Sequence, residues 1–396
     1  MYFETTKTRH QLLREGSYTL TEDLALKDDM VLEGVGMGTI IKTNGFKIDV
    51  TNSDNVQVKN LRIDATGSTN AIVVTDESVN TLLDNLLIEH ATDFAVTVDD
   101  CGGFTARTVH CVDNGSGMKT QNMGNIPSGT ELQVTPSLID NCRFVENDGY
   151  GLWTDADHDI SITNCNMERN AKNGLHIVRP VQVVVSGCTI ERNGTDAESG
   201  DYKKADVQVR IEDPDVYSPG FSYHEVTITG CMIAAIATSH AIRYDAEFND
   251  ESAINVNGNI IIASNTSSRY GVSFHVNTDQ TVLFANNNVR TLQQTDNLVR
   301  IVSQTGSNIT NRRCLITGNT LDNRSSHVIE QGYIVQSNVT GVCAYGNRII
   351  GDGALGIQSR DTGSIEAHDN IFDTNLTANT GTTGTATVTE VDSVTI

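Results

Sequence analysis

The sequence predicts an all-β solenoid, a fold in which the chain winds in stacked coils of short strands. The first observation is a phrase that occurs three times in residues 137–190 and places Cys142, Cys165 and Cys188 at intervals of 23 residues. The second is the short apolar alternation that follows, as in Leu152-Trp153-Thr154 and Leu175-His176-Ile177. A fixed period in the twenties with strand-like alternation indicates stacked coils, not separate globular domains.

The composition is the third observation, because 38% hydrophobic and 5% aromatic residues with 33 glycines suit many short strands and tight turns. The net charge of −23 argues against nucleic acid as a partner, since phosphate binding requires a basic surface. An acidic, lysine-poor surface is typical of proteins in high salt, so a halophilic source is one hypothesis. We expect no classical signal peptide, and no membrane span, because no apolar run approaches ~18 residues.

Glycine-containing phrases open the chain, for example Gly16-Ser17-Tyr18-Thr19-Leu20 and Leu32-Glu33-Gly34-Val35-Gly36. Their spacing resembles the opening of proteins of the pectate-lyase-like superfamily. Within it, the chain resembles viral tailspike β-helices and, more loosely, mannuronan C5-epimerases. The resemblance implies a single-stranded right-handed parallel β-helix. From the repeats we expect about 12 coils with loop insertions in the middle of the rod.

One position per coil can be aligned along the chain, and we call this set the column. Its predicted members are Leu61, Leu86, Val109, Cys142, Cys165, Cys188, Cys231, Asn259, Asn288, Asn319, Asn347 and Asn370. Side chains stacked ~4.8 Å apart can pack thiol on thiol or link amide to amide in a ladder. A buried asparagine without such a partner would cost ~1–3 kcal/mol. We therefore expect buried free thiols and a hydrogen-bonded asparagine ladder.

The domain boundaries follow from this alignment. Residues 1–50 are expected to form an N-terminal cap and the first coils, 51–372 the parallel β-helix, and 373–396 a Thr-rich C-terminal cap or oligomerisation segment. The two longest steps in the column indicate insertions around 115–129, and around 195–204 together with 213–223. Long loops are where binding residues concentrate.

The alternation also predicts a polar outer face on one sheet. It combines the single Trp with Arg, Asp and His side chains, and sugar rings stack on aromatic faces while uronic carboxylates pair with Arg. The candidate substrate-binding residues are Trp153, His176, Arg179, Gln208, Arg210, Arg243 and Asp245. The alternative interpretation is an ordinary solvated sheet face.

The densest cluster of ionisable residues spans 149–159. It resembles the Tyr-Gly-Phe-Asp-Pro-His motif of mannuronan C5-epimerases, although the spacing differs by three residues and the proline is absent. The resemblance implies that Tyr150 and His158 exchange a proton at C5 of the sugar, with Asp155 or Asp157 in support. A structural turn rich in Asp is the alternative.

If the protein is an enzyme, a glycosidase is also open, since acid pairs such as Asp99 and Asp100, or Asp245 and Glu247, could hydrolyse glycosides. Two further chemistries stay open at this point. Asp155, Asp157 and Asp159, or Asp213 and Asp215, could supply oxygen ligands to Ca²⁺, the one candidate cofactor. Arg179 or Arg210 could act as the base of a β-elimination, as the resemblance to lyases implies.

The leading functional hypothesis is a virion or surface-exposed spike protein, assembled as a homotrimer, that binds a polysaccharide or other glycan on a host cell surface, with or without cleaving it. The alternative from another class is a polysaccharide lyase or C5-epimerase acting on acidic polysaccharide. A purely structural virion fibre or decoration protein is the third hypothesis.

Overall fold

The computed structural model describes most of the chain. The residues left out are 1–8, 124–135, 195–204, 213–222, 236–239, 247–250, 264–269, 279, 292–296, 304–308, 310, 312, 324–332, 338, 352–354, 360–362, 373–377, 383–386, 392–393 and 396. The chain divides into two compact units. Unit 1 comprises Met1–His176 and Pro180–Thr189, and unit 2 comprises Ile177–Arg179 and Ile190–Ile396.

The described residues form short β-strands throughout, as the alternation predicts. The strands up to residue 191 are β1 (His10–Leu13), β2 (Gly16–Thr19), β3 (Leu24–Ala25), β4 (Val31–Gly34), β5 (Thr39–Lys42), β6 (Ile48–Thr51), β7 (Gln57–Asp64), β8 (Ile72–Thr75), β9 (Leu82–Glu89), β10 (Phe94–Asp99), β11 (Thr105–Val112), β12 (Ser116–Gln121), β13 (Ser137–Asp140), β14 (Arg143–Val145), β15 (Leu152–Asp155), β16 (Ile160–Thr163), β17 (Asn166–Glu168), β18 (Leu175–Val178), β19 (Gln182–Ser186) and β20 (Thr189–Glu191).

The remaining strands continue the same pattern to the end of the chain. They are β21 (Ala205–Ile211), β22 (Tyr223–Thr229), β23 (Met232–Ala235), β24 (His240–Ala246), β25 (Glu251–Asn257), β26 (Ile260–Ala263), β27 (Tyr270–Val276), β28 (Gln280–Ala285), β29 (Asn288–Thr291), β30 (Asn297–Ser303), β31 (Cys314–Thr317), β32 (Thr320–Asn323), β33 (Tyr333–Ser337), β34 (Thr340–Tyr345), β35 (Arg348–Gly351), β36 (Leu355–Ser359), β37 (Ser364–His368), β38 (Ile371–Phe372), β39 (Ala378–Thr382), β40 (Thr387–Val391) and β41 (Val394–Thr395).

The strands form three parallel sheets, and most coils contribute one short strand to each, whereas the eight-residue strands β7, β9 and β11 each run through sheets 2 and 3. Sheet 1 contains fourteen described strands, in the order β3-β6-β8-β10-β12-β15-β18 and β21-β24-β27-β30-β33-β36-β39. Sheet 2 begins with β1-β4 and sheet 3 with β2-β5, and the eight-residue strand β7 pairs with β4 through its first half and with β5 through its second. The extra coils beyond the predicted dozen lie at the two ends, outside the range over which the column was aligned.

The core is the stacked inner face of these sheets. On sheet 2 of unit 1, from β7 to β19, each strand places one apolar side chain directly over that of its neighbour: Val58, Leu83, Ala106, Ile139, Ile162 and Val185, all fully buried. Because side chains alternate across a strand, the residues between them point outward. The outer face of sheet 1 therefore carries the polar and aromatic residues considered below.

The residue just before the column has a left-handed backbone in every coil from Asn60 to Asp369. The φ angle lies between 50° and 67° at Asn60, Asn85, Thr108, Asn141, Asn164, Gly187, Gly230, Gly258, Asn286, Gly318, Gly346 and Asp369. Glycine and asparagine tolerate this conformation better than other residues do. The coil therefore turns at a fixed place, which brings the next residue inward in each repeat.

The asparagine ladder is confirmed in unit 2. The Oδ1 atom of Asn287 accepts hydrogen bonds from the backbone N and the Nδ2 of Asn259, both at 3.0 Å, and Asn319 accepts from Asn287 in the same way at 2.9 and 3.1 Å. The pattern continues through Asn347 to Asn370. Each Nδ2 also donates to a backbone carbonyl of the preceding coil, such as Val256 for Asn287.

One predicted member of the column is wrong. Asn288 is exposed on β29, and Asn287 occupies the buried position between Asn259 and Asn319. Three asparagines in succession, Asn286 to Asn288, allowed a shift of one residue in the alignment. Asn286 takes the left-handed turn position, so the next residue is the one that enters the ladder.

A second asparagine ladder lies in unit 1, where the alignment did not expect one. Asn114 donates to Asn147 Oδ1, and Asn147 donates through Nδ2 to Asn170 Oδ1 at 2.8 Å. All three side chains are buried. Their spacing of 33 and 23 residues repeats that of the column, so the sequence did contain the signal.

The eight cysteines are free thiols, as predicted. Seven are buried and Cys343 is partly exposed. In the column, the Cys165 thiol donates to the carbonyls of Thr163 and Ile139 at 3.2 and 3.5 Å, and Cys142 makes an equivalent bond to Asp140. The thiols therefore bond to the coil below them as the asparagine amides do.

The Thr-rich end adds one more coil. Strands β39, β40 and β41 pair in parallel with β36, β37 and β38. A role of this segment in capping or in oligomerisation stays a prediction. Of the predicted insertions, residues 116–121 are part of the regular coil as β12, while 124–135, 195–204 and 213–222 lie outside the described residues.

Candidate functional site

The outer face of sheet 1 in unit 1 carries a compact group of rings, which we call the aromatic cluster: Phe94, Tyr150, Trp153 and His176. Phe94 begins β10, Trp153 lies on β15 and His176 on β18, while Tyr150 lies in the turn before β15. Leu152 is fully buried in the core, so the alternation directs its neighbour Trp153 outward. The structure thus brings together three of the predicted site residues.

The rings of the cluster contact one another mostly edge to face. The centroid of Trp153 lies 4.8 Å from Tyr150, 4.9 Å from His176 and 6.1 Å from Phe94, with interplanar angles of 67°, 85° and 74°. Tyr150 and His176 are 5.1 Å apart at a smaller tilt of 30°. Edge-to-face pairs of this kind are favourable, which fixes the orientation of the half-buried Trp153 and Tyr150 rings.

Two lysines flank the aromatic cluster. Lys119 on β12 is in register with Trp153, and its Nζ lies 5.6 Å from the indole centroid. Lys172 is exposed, and its Nζ lies 5.2 Å from the Tyr150 ring. A cation over an aromatic face is attracted by the ring quadrupole. The chain has nine lysines, and two of them lie over the rings of this cluster.

The indole N–H of Trp153 has no acceptor among the described residues, although the nitrogen atom is buried. A buried donor without a partner costs free energy, so tryptophan at this position carries a cost that the packing of the fold does not require. The ring is nevertheless held by three neighbours.

Asp157 does not lie on the outer face. It is fully buried, the Thr120 hydroxyl donates to its Oδ2, and the backbone N–H of Met123 donates to its Oδ1 at 3.1 Å. Burial, reinforced by the charge of Asp155, raises the pKa of Asp157 to about 7. Its carboxyl is enclosed by protein atoms and ties the end of β12 to the turn after β15.

The other predicted catalytic residues occupy mixed environments. Asp155 is 7% exposed and lies two residues beyond Trp153 on β15, so the alternation places it on the same face. His158 is half-buried, burial lowers the pKa of its imidazole, and its backbone N–H donates to Met123 at 3.0 Å. The ring neighbour of Tyr150 in the structure is His176.

The buried carboxyl of Asp157 predicts a specific pH dependence. Its pKa is higher in the folded protein than the ordinary value of 3.8, so between about pH 4 and pH 7 the folded state holds a proton that the unfolded chain has released. Stability should fall over this range, by up to ~4 kcal/mol at ~1.4 kcal/mol per pK unit, and then level off. In Asp157→Asn this decline should disappear, as measured by urea unfolding at several pH values.

Thr120→Ser is the matched control for that measurement, because it keeps the hydroxyl that donates to Asp157. Thr120→Ser should change the free energy of unfolding by the same amount at every pH. If the free energy of unfolding fell equally with rising pH in Asp157→Asn and in the unsubstituted chain, another titrating group would be responsible for the pH dependence.

The charged side chains predicted for the groove form a second group, in unit 2. Gln208 and Arg243 are in register on β21 and β24, as are Arg210 and Asp245. Arg243 Nε donates to Asp245 at 2.7 Å, and Gln208 Nε2 donates to the same carboxylate at 3.4 Å. Gln208, Arg243 and Asp245 are 3%, 8% and 2% exposed, so this part of the predicted groove is not open to solvent.

The electrostatics of this group follow from its burial. Burial opposes ionisation of Asp245, but the hydrogen bond and the charge of Arg243 outweigh it, so the pKa of this carboxyl lies below its ordinary value. Arg210 pairs instead with Glu212 at 2.6 Å, and the backbone N–H of Arg179 donates to the Arg210 carbonyl at 2.9 Å. The arginines proposed as elimination bases are thus part of the strand network of unit 2.

The comparisons with known proteins agree with the three-sheet coil. A family model described as a right handed beta helix region matches residues 115–289. The fold is a right-handed parallel β-helix. Among curated protein sequences the chain has no significant match.

Several solved β-helices have similar structures at low sequence identity. The A-module of the Azotobacter vinelandii mannuronan C-5 epimerase AlgE4 is 17% identical, with 86% of this chain and 87% of that chain covered at a TM-score of 0.50. PfbA, a surface adhesin of Streptococcus pneumoniae, is 12% identical, with 85% and 82% covered at 0.55. The tailspike protein of E. coli bacteriophage HK620, solved with a hexasaccharide, is 11% identical, with 98% and 71% covered at 0.51.

Nowhere in the described ranges do three His, Cys, Asp or Glu side chains form a group that could hold a metal ion. This includes Asp155, Asp157 and Asp159, whereas Asp213 and Asp215 lie outside the described residues, so Ca²⁺ binding stays a prediction. Within the part of the β-helix that is described, no helix is long and apolar enough to cross a membrane.

The sequence reasoning missed Phe94, Lys119 and Lys172 as members of this site. Lys119 was missed because residues 115–129 were interpreted as an insertion, whereas Met118 is a core residue in register with Leu152. Had the alternation been extended through residues 116–121, it would have placed Lys119 beside Trp153. Lys172 lies in a turn, where no strand alternation applies.

Proposed function

We propose that this β-helix binds a glycan through the aromatic cluster and its two flanking lysines, and that it acts as a surface-exposed or virion attachment protein. The observation that carries the proposal is the contact of the half-buried Tyr150 and Trp153 rings with each other and with buried His176, with Lys119 and Lys172 over them. Sugar rings present C–H faces that pack on aromatic rings, and their hydroxyl or acidic groups bond to cationic side chains.

The energetics of the cluster favour binding over a purely structural role. Trp153 and Tyr150 are partly open to solvent, and rigid aromatic side chains give large contact area at little entropic cost. The chain has a net charge of −23, which repels anionic ligands in general. The two lysines would attract an anionic ligand locally, at this face. The structural neighbours support the proposal by their printed names, which include an adhesin and a tailspike solved with a hexasaccharide.

Substitution of Trp153 tests the proposal. We expect Trp153→Ala to weaken binding of oligosaccharides identified on a glycan array by about tenfold or more, because centrally placed aromatic anchors dominate such interfaces. Isothermal titration calorimetry gives the affinity. Tyr345→Ala, at an exposed tyrosine of unit 2, is the matched control and should bind as the original chain does.

Two outcomes contradict the proposal. One is equal affinity in Trp153→Ala and Tyr345→Ala, with both variants folded by circular dichroism. The other is a blank array for the original chain, which would favour the purely structural fibre or decoration role.

A second candidate function is a polysaccharide lyase or C5-epimerase acting on acidic polysaccharide. The observation in its favour is the contact between two titratable rings, Tyr150 and His176, at 5.1 Å, with lysines beside them that could neutralise a sugar carboxylate. Proton NMR of alginate or pectate incubated with the protein distinguishes the candidates. New unsaturated ends indicate a lyase, a changed ratio of C5 epimers indicates an epimerase, and unchanged polymer favours attachment alone.

Assembly as a homotrimer and adaptation to high salt belong to the same proposal. The high negative charge supports the salt adaptation, because counterions screen the repulsion between like charges. Light scattering at molar salt tests the oligomer, and a monomer there would overturn the trimer without affecting the glycan site.

A further inference from the structure

The first described coil of unit 1 contains a cavity of about 260 Å³. Its strands β1, β2 and β3 pair with β4, β5 and β6 of the next coil, and among the described strands they have no neighbour on their other side. By contrast, β7 has β4 on one side and β9 on the other, so the inner side chains of its coil are covered from both sides. The inner side chains of the first described coil are covered from one side only, and the cavity lies among them.

The inner wall of the cavity is apolar. Leu13, Leu20 and Leu24 of the first described coil line it and are buried, and so is Ile41, which belongs to the next coil. An apolar cavity of about 150 Å³ is large enough to hold a benzene molecule and stays free of water. The cavity in this protein is larger, at about 260 Å³, so a hexyl chain or a single ring fits inside it.

The rim of the cavity is acidic. Glu22 and Asp23 belong to the lining and are exposed, so the cavity reaches the surface beside their carboxylates. The backbone N–H of Lys47 donates to Oδ1 of Asp23 at 3.1 Å, which fixes the position of that carboxylate. The described residues that line the cavity include no lysine or arginine. An apolar pocket with a few polar groups at one side binds its ligand in one orientation.

We infer that this cavity binds a small amphipathic amine, with the apolar body of the ligand against the leucines and its ammonium group beside Glu22 and Asp23. The apolar body gains free energy by leaving water. The ammonium group stays at the surface, where it remains hydrated and is attracted by the two carboxylates. The cavity shares no residue with the aromatic cluster, so the inference does not depend on the proposed glycan binding.

The test compares three probes that share a hexyl chain, namely hexylamine, hexanol and hexanoate, each titrated into the full chain. Shifts of the leucine methyl signals in NMR spectra report binding. We expect saturable shifts at Leu13, Leu20 and Leu24 and none at Leu321, a buried leucine of unit 2. Hexylamine should bind about tenfold more tightly than hexanoate, with hexanol between them, because the rim attracts one charge and repels the other. The difference should shrink at molar salt.

Charge-removing variants separate the rim from the apolar wall. The double variant Glu22→Gln with Asp23→Asn should bind hexylamine no more tightly than hexanol, while its affinity for hexanol stays unchanged. Both residues are exposed, so the fold should be retained. Glu366→Gln, at an exposed acid of unit 2, is the matched control and should bind all three probes as the original chain does.

Three outcomes overturn the inference. The first is equal affinity of the original chain for hexylamine and hexanoate, and the second is an unchanged preference for hexylamine in the double variant. The third is the absence of saturable shifts at the three leucines with every probe, which would favour a protein segment as the occupant of the cavity.

Discussion

Asn287→Ala should lower the free energy of unfolding by about 3 kcal/mol or more, one of the two largest effects expected in this chain. The substitution removes the acceptor of the Asn259 backbone N–H and Nδ2, and it leaves the Val256 carbonyl without its 2.9 Å donor. These groups are buried between coils, where water cannot replace the lost bonds. Urea unfolding followed by circular dichroism measures the change.

Asn288→Ala is the matched control, because it changes the same residue type one position along the chain. Asn288 is exposed, and its backbone N–H, which donates to the Asn259 carbonyl at 2.9 Å, is unaffected by the substitution. We expect a change within about 0.5 kcal/mol. If the two variants unfolded alike, the ladder would contribute nothing specific to stability.

Arg243→Leu should destabilise the protein by about 3–5 kcal/mol, because it leaves the Asp245 carboxylate buried without its partner. The pKa of Asp245 is lowered in the folded protein, so the contribution of the pair is present above the ordinary pKa of Asp and is lost as the pH falls through the folded value. The difference between variant and original chain should therefore shrink in acid. Thermal unfolding at neutral and acidic pH measures it.

The double variant Arg243→Leu with Asp245→Leu provides the control for that experiment. Replacing both partners with apolar groups removes the uncompensated charge, so much of the stability should return. A double variant no more stable than Arg243→Leu would mean that the loss comes from packing and not from the charge.

The repeat and its inward column could be predicted because one local conformation recurs in each coil. The left-handed turn at Asn164 and Gly187 favours glycine or asparagine, so the turn is visible in the sequence as well as in the structure. The exact member of the column could not be predicted where Asn286, Asn287 and Asn288 are adjacent. There the residue type suits the turn, the ladder and the surface equally, and only the backbone decides.

Alternation predicted which face the site residues on strands occupy, but it gave no information on site residues in turns. Alternation placed Trp153 and His176 on one face, and the structure brings their rings to 4.9 Å. The burial of Arg243 and Asp245 was not predictable, because alternation gives the face of a strand but not what covers that face. Asp157 lies in a turn between strands, where no period distinguishes an enclosed carboxyl from an exposed one.

The free thiols described above make the stability of this protein independent of redox chemistry. No covalent crosslink joins its coils, and burial raises the pKa of Cys101 and Cys314 to about 12, so the reactive thiolate is scarce at neutral pH. Among the eight cysteines there is no disulfide to reduce, and Cys343 is the one thiol that is partly exposed. The coils therefore owe their stability to packing and to the hydrogen-bonded ladders, and they need no oxidation step to form.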